Sequence, residues 1–151
     1  MTNEERAFIE TDYACAYCGV KGFENLSIDH IEGRNGHYYK KYDNLIVLCH
    51  NCHHRKTTNK GIDLDKIKKL KKNLIIKTLT QYGVNALKFA VRNKQGVVAN
   101  VILLSHLVEL GFFRKGEVAM SYGPLEGNNL GEDVLFLITE EGKRIFNKWL
   151  N

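Results

Sequence analysis

The sequence is poor in proline and has no long apolar run. Its 151 residues include one proline and no low-complexity tract, which argues against long disordered segments. The most apolar stretch, residues 97–110, is interrupted by His106 and Glu109 among other polar residues, so it does not resemble a membrane span. No charged start followed by an apolar run marks the chain for export. We therefore expect a soluble protein of the cytoplasm with no membrane partner.

The charge of the chain is unevenly distributed. The formal net charge is +5 and the isoelectric point about 9.0, which favours a polyanionic partner. Residues 1–60 carry eight basic and eight acidic side chains, residues 61–95 nine and two, and residues 96–151 five and seven. The basic excess therefore lies in the middle of the chain, whose length suits one medium domain or two small ones.

All four cysteines occur in Cys-x-x-Cys pairs. Cys15 and Cys18 form the first pair, and Cys49 and Cys52 form the second. This spacing lets two thiolates on a tight turn reach one tetrahedral zinc ion, and two such turns complete a four-thiolate site. Two disulfides or four buried thiols are the alternatives, and a reducing compartment disfavours the disulfides. The pairs therefore favour a structural Zn²⁺ site.

Polar residues adjoin two short apolar stretches between the cysteine pairs. Asp29 and His30 follow residues 26–28, whose alternation predicts a strand. Asn44 precedes the apolar run 45–48, which predicts a second strand.

The second cysteine pair is predicted to lead into a helix. His53 and Lys56, three residues apart, would share one face of this helix. A zinc ion held by the cysteines would clamp the two strands against the helix. That arrangement would bring His53 close to Asp29 and His30, which are far from it in sequence.

Together these residues resemble the HNH endonucleases, the ββα-metal nucleases with zinc-knuckle support. The resemblance covers about the first 60 residues and implies hydrolysis of phosphodiester bonds in nucleic acid. The matching residues are Cys15-x-x-Cys18, Asp29-His30-Ile31, Asn44-Leu45 and Cys49-x-x-Cys52-His53-x-x-Lys56.

The resemblance also implies a role for each matching residue of the site. His30 would be the general base that takes a proton from the attacking water, which suits a neutral imidazole. Asp29 and His53 would hold one catalytic divalent cation, and their oxygen and nitrogen ligands suit Mg²⁺ or Mn²⁺. Asn44 would brace the loop and orient the histidine. The family pattern assigns no fixed role to His37, His50 and His54.

A lysine-rich helix is predicted after the nuclease-like segment. Asp63 or Asp65 can cap its start, apolar residues recur at helical spacing, and Gly83 is expected to end it. Its lysines either contact DNA phosphates or form a solvated face. The predicted DNA-binding residues, including three from the preceding segment, are Arg55, Lys56, Lys60, Lys68, Lys69, Lys71 and Lys72.

The C-terminal part alternates helices and strands. The predicted elements are helices over 85–93 and 98–110 with Gly111 after the second, strands over 117–122 and 134–138 around a turn at 123–133, and a last helix capped by Thr139.

This order resembles a winged-helix domain, and residues 107–113 and 136–143 carry the resemblance. The helix before the hairpin would face the major groove, and the turn at 123–133 would be the wing. That helix has few cationic side chains and the turn is acidic, unlike a basic groove reader. The C-terminal part therefore either reads DNA through a few contacts or mediates dimerisation.

The sequence predicts an α+β fold in three parts. These are an HNH nuclease domain over 1–60, basic connecting helices over 61–95 and a winged-helix-like domain over 96–151. The predicted function is a metal-dependent endonuclease acting on double-stranded DNA, in a restriction, modification-sensing, homing or phage setting. The alternatives are a non-catalytic zinc-knuckle and winged-helix regulator that binds DNA, and a nuclease directed at RNA.

Overall fold

The computed structural model describes residues 1–34, 36–94, 96–121 and 131–151. These residues form a mixed α and β fold with two compact units, Met1–Thr78 and Leu79–Asn151. The α+β prediction is thereby confirmed. None of the helices in the described ranges is long and apolar enough to cross a membrane.

The first unit is built around a two-stranded hairpin. Its elements are α1 (Asn3–Glu10), β1 (Leu26–His30), a 3₁₀ turn (Tyr42–Asn44), β2 (Leu45–Cys49), α2 (His50–Thr57) and the beginning of α3 (Leu64–Asn93).

Both predicted strands of this hairpin are confirmed. β1 and β2 pair antiparallel, with Leu26 opposite Cys49 and His30 opposite Leu45. Every residue of β2 is buried, and the strand contacts both α1 and α2. β1 extends to His30, so the polar pair that follows its apolar residues lies on the strand itself.

Helix α3 differs from the prediction at its end. α3 is two helices joined across a kink at Thr80, which has a φ of 61° and a ψ of 170°. The break therefore comes before Gly83, and the second helix, which continues to Asn93, includes the helix predicted over 85–93. Gly83 instead meets a close neighbour, since a Cβ there would lie 3.2 Å from the side chain of Leu107. Its small size therefore serves packing rather than termination.

The second unit contains a three-stranded antiparallel sheet. Its elements, with those already given, are β3 (Gly96–Asn100), α4 (Val101–Glu109), β4 (Phe113–Ser121), β5 (Glu132–Ile138), α5 (Glu140–Ile145) and a π-helical turn (Phe146–Leu150). The strands lie in the order β3-β5-β4.

The helix predicted over 98–110 is wrong in its first residues. Val97 and Val98 pair with β5, opposite Phe136 and Leu135, and so belong to a strand. The side chain of Asn100 then accepts a hydrogen bond from the Ile102 amide, which makes Asn100 the N-cap of α4. A β-branched run followed by a capping residue carries a strand signal that the apolar content concealed.

The other C-terminal elements agree with the prediction where they are described. Gly111 follows α4 with a φ of 75°, and the Thr139 hydroxyl accepts from the Gly142 amide to cap α5. The strands predicted over 117–122 and 134–138 correspond to β4 and β5. Most of the predicted wing at 123–133, and the end of the first of these strands at Tyr122, lie outside the described residues.

Candidate active site

The four cysteines converge at one place in the first unit. Their sulfur atoms all lie within 4.8 Å of one another, and all four are free thiols. Cys15 and Cys18 come from the loop after α1, Cys49 ends β2 and caps α2, and Cys52 lies in the first turn of α2. The four cysteines are therefore positioned to bind one metal ion.

The acidity of Cys15 suits this arrangement. Burial alone would raise its pKa, but backbone amides of Cys18, Cys49 and Tyr17 hydrogen-bond to the sulfur and lower the pKa to about 7. The thiolate is the form that ligates metal, so the ligating state is favoured near neutral pH at Cys15, whereas burial raises the pKa of Cys52 and the pKa of Cys18 is raised as well.

Asp29 is the buried acid of a second cluster. It is 6% exposed on β1, and its Oδ1 accepts a hydrogen bond of 2.8 Å from the His30 amide. His53 Nδ1 from α2 lies 3.4 Å from the same Oδ1. Lys56 Nζ, one turn further along α2, lies 2.8 Å from Oδ2. Pairing of β1 with β2, together with the turn into α2, thus brings the predicted carboxylate and imidazole side by side.

Two atoms of this cluster lack hydrogen-bond partners among the described residues. These are Asp29 Oδ2 and His53 Nδ1, both buried. The Lys56 ammonium forms an ion pair with Oδ2 but is not aligned to donate a hydrogen bond to it. Buried polar atoms without partners are costly and usually mark a bound ion, water or ligand. A carboxylate oxygen and an imidazole nitrogen 3.4 Å apart fit a divalent cation.

His30 follows Asp29 on β1, and its side chain is partly buried. Burial lowers its pKa from the usual imidazole value, the positive charge of Arg34 lowers it further, and the Asp29 carboxylate opposes both effects. The ring lies against Tyr39, with centroids 5.8 Å apart. The lowered pKa of His30 favours the neutral imidazole, which is the form that accepts a proton.

Asn44 ties down the loop that follows His30. Its Oδ1 accepts from the Glu32 amide at 2.8 Å, and its Nδ2 donates to the carbonyls of Gly33 and Tyr39, each at 3.3 Å. The side chain is 2% exposed. These are the contacts that the predicted bracing role requires.

Lys56 occupies a different place from the one expected for a DNA contact. Besides its ion pair with Asp29, its Nζ donates to the His30 carbonyl at 2.6 Å, and its side chain is 15% exposed. The ammonium thus lies within the candidate site. Its spacing of three residues from His53 was the sequence signal for this position, because both residues share one helix face.

The prediction of Lys71 as a phosphate contact is wrong. Its side chain is 0% exposed and forms an ion pair with Glu10, which also accepts a hydrogen bond from the Tyr42 hydroxyl. The Lys71 ammonium lies 3.9 Å from the centre of the Tyr42 ring. Burial raises the pKa of Glu10 and lowers that of Lys71, and the charge of each partner opposes these changes. Nothing in the sequence near Lys71 identifies a partner so far away in the chain.

The other predicted DNA contacts lie at or near the surface. Lys60, Lys69 and Lys72 are exposed, whereas Lys68 forms an ion pair with Glu32 at 3.1 Å. Arg55 is half-buried against the Tyr17 ring, with 5.8 Å from its guanidinium carbon to the ring centre. Contact with DNA at these positions stays a prediction.

Comparison with known families supports a nuclease. Residues 15–59 match the family model for HNH endonuclease, a segment that contains both cysteine pairs and all four predicted residues of the site. At the level of the family, this match indicates nuclease activity on a nucleic-acid substrate. It ends before the C-terminal part, where the winged-helix resemblance stays a prediction. No curated protein and no solved structure matches the chain.

Proposed function

We propose that this protein is a metal-dependent endonuclease that hydrolyses phosphodiester bonds in double-stranded DNA. The observation that carries the proposal is the contact between the buried Asp29 carboxylate and His53, whose Nδ1 lies 3.4 Å from Asp29 Oδ1, with His30 directly after Asp29 on β1 in the family-matched segment. A carboxylate, an imidazole and a proton acceptor in one place are what a metal-assisted phosphodiesterase requires.

Each residue has one task in the proposed reaction. His30 accepts a proton from water as the water oxygen bonds to phosphorus and the bond to the 3′ oxygen breaks. Asp29 and His53 hold Mg²⁺, Mn²⁺ or a similar ion, which supplies positive charge to the departing 3′ oxyanion when bound. Asn44 keeps the loop after His30 in place through its three hydrogen bonds. The donor set is open and hard, unlike a closed structural site.

The cysteine cluster would hold a separate structural Zn²⁺. Four thiol sulfurs within 4.8 Å form a soft, closed ligand set that suits zinc and leaves no position for substrate. The protein would then bind two metals with different roles. The zinc site links the loop after α1 to β2 and α2, and so supports the helix that carries His53.

The remainder of the chain would position the DNA. Residues 61–95 would act as basic connecting helices that contact the backbone, and residues 96–151 as a winged-helix-like domain that reads DNA or dimerises. One active site cuts one strand, so a double-strand break requires a homodimer or two sequential nicks. A restriction role, including a modification-sensing one, and a homing or phage role all fit this chemistry, as does an RNA substrate.

Incubation with supercoiled plasmid tests the activity. We expect nicking that requires Mg²⁺ or Mn²⁺ and falls by about 10²- to 10⁴-fold in His30→Ala, because removal of a general base costs about this much. His37→Ala, which changes an exposed histidine of the following loop, is the matched control and should nick at the native rate. Nicking by His30→Ala at the native rate would show that the base is misassigned.

A non-catalytic DNA-binding regulator is the second candidate. The observation that favours it is the ion pair between Lys56 and Asp29, which already supplies a positive charge to the carboxylate. In that case Asp29 serves only the structure, and the plasmid remains intact with every metal tested while DNA binding persists.

A further inference from the structure

The second unit has an open apolar groove that the proposed active site does not use. The groove has a volume of about 270 Å³ and lies between α3, β3 and α4. Its lining includes Tyr82, Asn85 and Phe89 from α3, Val97 and Ala99 from β3, and Leu103 from α4.

Two aromatic rings of the groove are largely exposed. Tyr82 is 63% exposed and Phe89 is 56% exposed. Both are large aromatic residues at helix-surface positions, where a polar residue would also fit. They lie seven residues apart, and Asn85 lies between them at the spacing that places all three on one helix face. The face therefore offers two flat apolar surfaces with one amide between them.

Basic residues lie on the helix that lines this groove. No acidic residue occurs between Asp65 and Glu109, so every segment that lines the groove lacks carboxylates of its own. Lys88 and Arg92 are exposed on α3, where Lys88 lies three residues from Asn85 and Arg92 three residues from Phe89, the spacing of neighbours on a helix surface. An apolar groove lined by a helix that also exposes two cations is complementary to a ligand that combines flat apolar groups with negative charge.

We propose that this groove binds unpaired nucleobases of a nucleic acid whose backbone phosphates contact Lys88 and Arg92. Tyr82 and Phe89 stack with the bases, and Asn85 can hydrogen-bond to a base edge. The proposal rests on the proposed function in that the occupant is a nucleic acid, but it concerns a site distinct from the nuclease cluster. It adds a preference for single-stranded or unstacked segments.

A second copy of the chain fits this face less well. In a two-fold interface the same patch faces itself, so Lys88 and Arg92 would approach their own copies without an acidic partner from the groove segments. Like charges brought together in this way oppose association. Dimerisation through the groove is therefore the competing outcome of the test.

The test compares single-stranded and duplex DNA by fluorescence anisotropy. The probe is a labelled oligonucleotide of about 12 nucleotides, alone or annealed to its complement, with the full chain carrying His30→Ala to prevent cleavage. We expect Phe89→Ala and Tyr82→Ala each to weaken single-strand binding by about 5- to 100-fold, the range for loss of one base-stacking partner. Duplex binding should change little, because its bases are stacked on each other.

Three further variants make the result specific. Phe89→Tyr retains an aromatic ring and should bind like the parent. Phe23→Ala removes an aromatic side chain of similar exposure from the first unit and should also bind like the parent. Lys88→Gln with Arg92→Gln should weaken binding and flatten its salt dependence. Circular dichroism checks that each variant is folded.

The outcomes separate this proposal from the nuclease proposal. Equal single-strand affinity in Phe89→Ala, Tyr82→Ala and the parent would overturn the groove assignment, whatever the plasmid assay shows. Sedimentation showing a dimer that Phe89→Ala dissociates, with oligonucleotide affinity unchanged, would assign the groove to self-association instead. Loss of single-strand binding in the groove variants supports the proposal even where the plasmid is not cut.

Discussion

At the scale of single residues, the candidate site is defined by the partners of Asp29. This buried carboxylate contacts the His30 amide, the His53 ring and the Lys56 ammonium. A divalent ion held by Asp29 would therefore lie close to a fixed positive charge, which opposes its binding. Under the proposed function, Lys56 would thus lower the metal affinity of the site while its ion pair with Asp29 stabilises the fold.

Replacing Lys56 separates these two effects. Without metal, Lys56→Met should lower the free energy of unfolding by about 2 kcal/mol, because the buried Asp29 carboxylate loses its ammonium partner. The cost stays below that of a fully buried pair because Lys56 is partly exposed. Calorimetric titration with Mn²⁺ should show about tenfold tighter binding, because the competing cation is gone. Lys60→Met changes an exposed lysine nearby and serves as the control. Weaker Mn²⁺ binding in Lys56→Met would mean that the lysine supports the metal site.

A buried ion pair away from the site gives a second prediction. Lys71→Met should destabilise the protein by about 3–5 kcal/mol in urea unfolding, since Glu10 would remain buried without its cation. Lys72→Met, at the exposed neighbouring position, should change stability by no more than about 0.5 kcal/mol. Restoration of stability in Glu10→Gln combined with Lys71→Met would identify the unpaired charge as the cause. Equal stability of the two single variants would contradict the buried pairing.

The sequence allowed the ligand residues to be predicted better than their partners. The spacing of Cys15, Cys18, Cys49 and Cys52 is local information, and it sufficed to predict one cluster. The pairing of Lys71 with Glu10 depends on how α1 packs against α3, and helix periodicity gives a face but not the residue opposite it. For the same reason, helix periodicity alone groups Lys71 with the exposed lysines of α3.

At the scale of elements, the first unit depends on where α2 begins. Cys49 ends β2 and its sulfur accepts a hydrogen bond from the Cys52 amide, so one residue both caps the helix and belongs to the cysteine cluster. The orientation of α2 in turn places His53 beside Asp29. A metal at the cysteines would therefore hold α2 in place, and with it the position of His53 beside Asp29.

Cys49→Ser tests this dependence. Serine retains an N-cap oxygen, so the helix cap is preserved while a thiolate ligand is removed. We expect zinc content, measured by atomic emission, to fall from one per chain to near zero, and thermal unfolding of the first unit to move to lower temperature. Asn51→Ser, at an exposed position of α2, should retain both. Unchanged melting in a zinc-free Cys49→Ser protein would show that the metal does not stabilise this unit.

The two elements that sequence patterns misassigned have different causes. β3 and α4 form one apolar stretch, and the local signal for the boundary is the β-branched pair before Asn100, which caps the helix. Gly83 lies within helical structure, and its small size suits the close side chain of Leu107. This second case depends on long-range packing, which local propensity does not contain.

At the scale of the whole molecule, the excess of basic side chains lies in the middle of the chain, over residues 61–95. Lys69 and Lys72 are exposed in this stretch and remain the clearest expected phosphate contacts. Such contacts add affinity without reading sequence. Base-specific recognition would then come from other surfaces, including the groove of the second unit.

Salt dependence measures this contribution. Lys69→Gln with Lys72→Gln should reduce the slope of log binding constant against log salt by about 2 for duplex DNA, because each phosphate contact contributes about 0.9. Lys21→Gln with Lys143→Gln is the control, since these exposed lysines already pair with Asp12 and Glu140. Equal slopes in the two double variants would show that Lys69 and Lys72 are solvated surface residues without a role in binding.

The assignment of Asp29 and His53 as ligands of a catalytic ion is tested by the Mg²⁺ dependence of plasmid nicking. His53→Ala is compared with His54→Ala, which removes an exposed histidine from the adjacent position of the same helix. We predict that His53→Ala requires much more Mg²⁺ and nicks at least about 100-fold more slowly at the native optimum, while His54→Ala behaves like the native chain. The same Mg²⁺ dependence in His53→Ala and the native chain would contradict this assignment.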